Sequence, residues 1–140
     1  MAVKNTIYEN LIAALKGIIA GQTYSETVKA ADRLLIDSPA HNSQSPVVAI
    51  QEQAETLLSP GRDGNIWVLV LALRVTVDTS RDAAAEKLTN VVDDIRLMID
   101  SVDLGSNVLR VRTLEVDSTY MEENDAGQVI GVEIFYWDSK

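Results

Sequence analysis

The sequence predicts an α+β fold: a four-stranded, mainly antiparallel sheet packed with two main helices, in the order helix, hairpin, helix, hairpin. Three observations carry this reading. The stretch Ile66 to Leu73, Ile-Trp-Val-Leu-Val-Leu-Ala-Leu, is unbroken apolar and is followed by Arg-Val-Thr-Val. The stretch Ala84 to Val102 is apolar on one side only, at helical spacing. Asp63-Gly64 stands between two extended segments and supplies positive φ at little cost, as a hairpin requires. A strand with one wet face alternates apolar and polar residues, so the Ile66–Leu73 run implies cover on both faces. The run is too short to span a bilayer and meets Arg74, so that cover is protein. Two helices on one small chain are little material for two faces, which points towards assembly with further copies.

The elements follow in order. Thr6 and Glu9 have capping-box spacing, and Ile7, Leu11, Leu15 and Ile18 recur on one face, joined by Ile12 and Ile19. This predicts a helix from about Asn5 to Ala20, with Gly21 as terminator. Gln22 to Ser45 is ambiguous between a helical face of Val28, Ala31, Leu34 and Leu35 and a short strand around Thr27 to Ala31. Ser38 to Pro46 reads as an irregular loop. Pro46 to Leu58 is extended, and polar residues crowd its second half, which places that half near a surface or an edge.

The Trp67–Val77 strand returns antiparallel and is expected at the centre of the sheet. Thr79 with Asp82 forms a second capping box before the Ala84–Val102 helix. Its stripe is Ala84, Leu88, Val91, Val92, Ile95, Ile99 and Val102; Glu86, Lys87, Asp93, Asp94, Arg96 and Asp100 are expected to be wet. Gly105 ends it. Strict alternation then sets Val108, Arg110, Arg112, Leu114 and Val116 on one face and Leu109, Val111, Thr113, Glu115 and Asp117 on the other. Met121 to Gly127 is an acidic turn, and Val129 to Trp137 is the closing strand.

Composition limits function. The 140 residues fit a single domain, residues 1–140, with 46% hydrophobic content, ordinary for a soluble globular protein. The N-terminus shows no signal-peptide pattern. With no cysteine, disulfides, thiolate chemistry and cysteine metal sites are excluded. A net charge of -9 disfavours nonspecific binding to nucleic acid or to an anionic membrane. Arg110 and Arg112 are the only close arginine pair, too small a patch for phosphates.

Candidate chemistry is sparse. His41 lies in a polar loop without a second ligand at metal spacing, so no metal site is expected. Asp93-Asp94 and Glu122-Glu123 read as solvated acids, because an acid catalyst needs an environment that raises its pKa. Gly61 and Gly64 are not a phosphate loop, since neither Gly-Lys-Ser nor a helix follows. Trp67, Phe135 and Trp137 sit in strands, where packing is their expected role. No catalytic residue, cofactor or metal is expected, and the chain reads as a non-enzyme.

The opening helix Ile7-Tyr8-Glu9-Asn10-Leu11-Ile12-Ala13-Ala14-Leu15, the Pro46-Val47-Val48-Ala49-Ile50 strand opening and the Trp67–Val77 return strand share an order with a known family. So do the Ala84–Val102 helix and the closing Val132-Glu133-Ile134-Phe135-Tyr136 strand. Together they resemble the tail-terminator (tail-completion) proteins of long-tailed bacteriophages, over most of the chain except Gln22 to Ser45. The resemblance implies a virion protein of the tail and neck, assembled in the host cytoplasm as a homohexameric ring. Its implied partners are copies of itself, the tail-tube protein and a head-side connector or stopper protein, with DNA only as passing cargo and no membrane. A ring needs two different patches on each subunit. Arg110, Arg112, Glu115 and Glu133 at the exposed ends of the sheet are the candidate subunit interface. The Ser38–Pro46 and Met121–Gly127 segments are expected to meet tube or connector. Other readings are another phage neck or connector component, a tail-tube protein, or a cytoplasmic ligand-binding α+β domain.

Overall fold

A computed structural model describes residues 3–33, 46–78, 84–116, 120–121 and 125–139. The elements are α1 (Val3–Lys16), β1 (Ala30–Arg33), β2 (Val47–Ser59), β3 (Asn65–Asp78), α2 (Ala84–Ser101), β4 (Val108–Val116), β5 (Tyr120–Met121) and β6 (Asp125–Asp138). The sheet therefore has six strands rather than four, in the order β1-β2-β3-β6-β4, with β5 paired to β6. The additions are short strands at its margins: β1 in the ambiguous segment, and β5 before the closing strand. β1 runs parallel to β2, with Ala30 opposite Val47, and every other pairing is antiparallel.

β3 lies at the centre, as its apolar sequence requires. Its ladder with β6 is unbroken from Asn65↔Asp138 to Asp78↔Asp125. Leu69, Leu71, Leu73, Val75 and Val77 are fully buried on one face, beside Ile130, Val132 and Ile134 of β6. Both helices pack on this face: Ile7, Leu11 and Leu15 of α1 and Leu88, Val91, Ile95 and Ile99 of α2 share one core with these strand residues.

Local chemistry sets the ends of the helices. α1 begins at Val3, so Thr6 lies inside it and is not its cap. It stops at Lys16, where the Gly17 N–H is shared between the Ala13 and Ala14 carbonyls and Ile18 bonds back to Leu15, tightening the last turn. Ile18 still reaches the core, but Ile19 is 62% exposed because helical spacing no longer governs it. The Thr79–Asp82 capping box falls outside the described residues. α2 ends at Ser101, and Gly105 adopts a φ of 124°, a left-handed value that favours glycine.

Two expectations about polar surfaces are corrected. Asp94 is buried on α2, not wet. Its carboxylate accepts backbone N–H bonds from Ser25 at 3.0 Å and Glu26 at 2.8 Å, so it ties the Ile18–Val28 connection to the helix. The Met121–Gly127 segment is not wholly a turn: Tyr120 pairs with Gly127 and Met121 with Ala126, so β6 starts at Asp125. The rest of that turn, and His41 with the Ser38–Ser45 part of the polar loop, lie outside the described residues.

Strict alternation in β4 also fails. The register shifts between Val108 and Arg110, so Val108 and Val111 both pack against the core and Leu109 is left 58% exposed.

Burying Ile95 contributes about 1.5–3 kcal/mol, and a carboxylate there has no partner. Ile95→Asp is expected to abolish soluble folded protein, read from yield and thermal melting. Asp94→Ala is expected to fold but to lose about 1–3 kcal/mol. Amide exchange in that variant should quicken at Ser25 and Glu26.

Candidate functional site

Among the described residues no helix lies on the second face of the sheet. Across its centre run Thr56, Val68, Phe135 and Arg110, then Ala54, Val70, Glu133 and Arg112, in register. Val68, Val70, Ala72 and Phe135 are only half-buried although they sit on the two central strands. The two-sided apolar signal of β3 thus divides into odd-numbered residues in the core with the helices and even-numbered residues half-buried on this second face. Arg112 Nε donates to Glu133 Oε1 across β4 and β6, forming an ion pair within the subunit.

At one end of the sheet the second half of β2 and the turn of residues 60–64 form an exposed edge, here termed the arm, while β3 stays paired with β6 to its first residue. β1 covers β2 only from Val47 to Ile50, so among the described residues β2 is itself an edge from Gln51 onward, and nearly all of that part is exposed. Leu57 and Leu58 are 42% and 56% exposed on this arm. The turn closes tightly against β6. A Cβ on Gly64 would stand 2.6 Å from Trp137 Nε1 and 2.7 Å from the Asp138 carbonyl, so only glycine fits there.

A polar cluster braces the base of the arm on its helix side. The register of β2 shifts between Glu52 and Ala54, which sets Glu52 opposite Leu71 and Glu55 opposite Leu69, both on the core-facing side of β3. Glu52 accepts from the Tyr8 hydroxyl at 3.0 Å and pairs with Lys4 at 3.2 Å. Glu55 accepts from the Tyr136 hydroxyl at 2.6 Å and pairs with Lys4 at 3.4 Å. The Arg33 guanidinium lies 3.7 Å from the centre of the Tyr8 ring, a cation–π contact.

Burial pushes the Glu52 pKa up, but hydrogen bonds from Lys4 and Tyr8 and the charges of Lys4 and Arg33 outweigh it and hold the carboxyl below its ordinary value. Burial lowers the Lys4 pKa, and Glu52 and Glu55 reverse this and raise it. Both tyrosines are raised, first by burial and then by donating to a carboxylate. These phenols stay protonated donors. The cluster braces the edge of β2 against α1 and β6. Among the described residues no group of three or more His, Cys, Asp and Glu is placed to hold a metal ion.

Compared with known proteins, the chain has a structural likeness without a sequence one. A chain of the solved structure titled "Virion of native gene transfer agent (GTA) particle" superposes with a TM-score of 0.53 at 12% identity. The match covers 98% of this chain and 92% of that one. At this identity the likeness shows a shared fold. No family model matches the sequence, and no curated protein matches it.

The interface residues expected from sequence fall near one another. Arg110 and Arg112 are exposed on β4, and Glu133 is half-buried opposite Arg112. Glu115 belongs to β4, and its side chain is outside the described residues. The cluster of Lys4, Tyr8, Arg33, Glu52, Glu55 and Tyr136 was missed. Its one sequence signal is Tyr8, a phenol on the apolar face of α1 whose hydroxyl needs a partner.

Two outcomes test the arm. Gly64→Ala is expected to displace Trp137 and to lower stability by about 1–3 kcal/mol, seen in tryptophan fluorescence and melting. Glu52 has a lowered folded pKa, so its contribution is complete above the ordinary carboxylate range and is lost as pH falls through the folded value. Lys4, with a raised pKa, stays charged throughout that range. The melting difference between wild type and Glu52→Gln is therefore expected at pH 7 and should shrink as pH falls below the ordinary carboxylate value.

Proposed function

We propose that the chain is a non-catalytic structural protein of a phage-like virion, assembling as a homohexameric ring that caps the tail tube. The carrying observation is the half-buried apolar row of β3 and β6 that no helix covers among the described residues, on a fold shared with a chain from a virion particle. A half-buried row of Val68, Val70 and Phe135 loses apolar area to water in the monomer, and a neighbouring subunit recovers it. Arg110, Arg112 and Glu133 border this row and belong to the same contact, with Glu115 further along β4 as its fourth candidate. Because Arg112 is already paired with Glu133, the pair meets the neighbour as a unit and sets its orientation.

In this reading the ring stops tube polymerisation and offers its other side to a head-side connector or stopper protein. DNA passes through the central hole, and a net charge of -9 keeps the wall from holding it. Light scattering and negative-stain imaging test the proposal. The expected result is a species of six times the 15.3 kDa chain mass, seen as a ring with a central hole, that halts tail-tube growth in vitro. A monomer at all concentrations that is indifferent to tubes overturns it. A monomer protected by a metabolite would support a ligand-binding domain instead.

A further inference from the structure

At the opposite edge of the sheet from the arm, a cleft of about 330 Å³ lies between the end of α2 and the start of β4. Apolar Ile99, Val102 and Leu109 line it together with Asp100, Asp103 and Arg110. Leu109 is the bulge residue left exposed by the register shift in β4. Among the described residues nothing pairs with the outer edge of β4.

The arm carries the complement. Leu57 and Leu58 are the exposed apolar residues on its β2 side, and exposed Arg62 and Asp63 are adjacent at its tip. One cation and one anion on the tip thus face two anions and one cation around the cleft. The heights also agree. Asn65 pairs with Asp138, and Val108 pairs with Tyr136, so the arm turn and the mouth of the cleft stand at the same end of the sheet on opposite edges.

We propose that the α2–β4 cleft receives the β2–β3 arm of a second copy of this chain, with Leu58 against Leu109, Arg62 beside Asp100 and Asp103, and Asp63 beside Arg110. Two different patches at equal height on opposite edges give a head-to-tail contact that can close by rotation without a rise. Register shifts at Gln53 and Leu58 on one edge, and at Leu109 on the other, break the regular rows of backbone groups. The contact is therefore made by side chains rather than by extending the sheet. This deepens the ring reading and rests on it, since it names which surfaces of neighbouring subunits meet.

The absence of cysteine makes the test direct. The double variant Leu58→Cys, Leu109→Cys is expected to give an intermolecular disulfide ladder under mild oxidation, while each single variant gives at most dimers. Leu58→Cys with Ile19→Cys, whose residue 19 is exposed and outside the cleft, should give no ladder. In parallel, Arg62→Glu should weaken self-association at least about tenfold, and Asp100→Arg in the same chain should restore it. Far-UV circular dichroism checks that these surface variants fold. A ring that forms with no ladder and no response to Arg62→Glu overturns the arm contact and leaves the ring reading standing. A cleft that becomes protected only when tail tubes are added overturns the second copy as its occupant. A chain that never associates overturns both.

Discussion

Two helices can cover one face of a sheet of this width, and both are committed to the same one. That constraint decides the rest of the molecule. α1 and α2 meet the odd-numbered residues of β3 and the even-numbered residues of β6 in a single core, so each hydrophobic stripe is satisfied within the chain. What remains is a face of mixed character, with Val68, Val70 and Phe135 beside Thr56, Glu133, Arg110 and Arg112, on which no helix lies among the described residues. A chain of this design completes its core on one side of the sheet and leaves the other side for contacts that the core does not need.

The polar groups serve the same geometry. Asp94 holds the connection between α1 and β1 through two backbone N–H groups, where a hydrophobic residue would leave them without a protein partner. Glu52 and Glu55 give the exposed half of β2 a fixed attachment to α1 and β6. Without them the arm would have only its ladder with β3 to hold it. The apolar core is built on one face, and these charged groups fix the α1–β1 connection and the edge of β2 against it.

Much of the fold was legible in the sequence because its signals were periodic. The α2 stripe, the hairpin at Asp63-Gly64 and the central place of β3 all follow from apolar spacing and turn chemistry. What was illegible has a common cause. A register shift changes which residues share a face without changing composition, so the shifts at Gln53 and Leu109 concealed the pairing of Glu52 with Glu55 and the exposure of Leu109. Asp94 was misread because a helix face rich in acids looks solvated until a neighbouring loop offers it donors. β1 has four residues, too few to show a period. Of the candidate interface residues, Arg112 and Glu133 face each other across β4 and β6 within the chain, a neighbour relation set by a register that composition does not reveal.

The ladder of β3 with β6 has a consequence for how the chain acquires its structure. The floor on which α2 rests is made jointly by these two strands, and α2, β4 and β5 lie between them in sequence. During synthesis α1, β3 and α2 have all emerged before the strand that completes their common floor. Contacts of such long sequence separation form late, after the entropy of closing the intervening chain has been overcome. Until then the edge of β3 that β6 will occupy is open, as a template for any other extended segment. Crowded copies made on one message would reach this stage together, so the period of greatest aggregation risk falls before β6 docks and ends when the last strand closes the sheet.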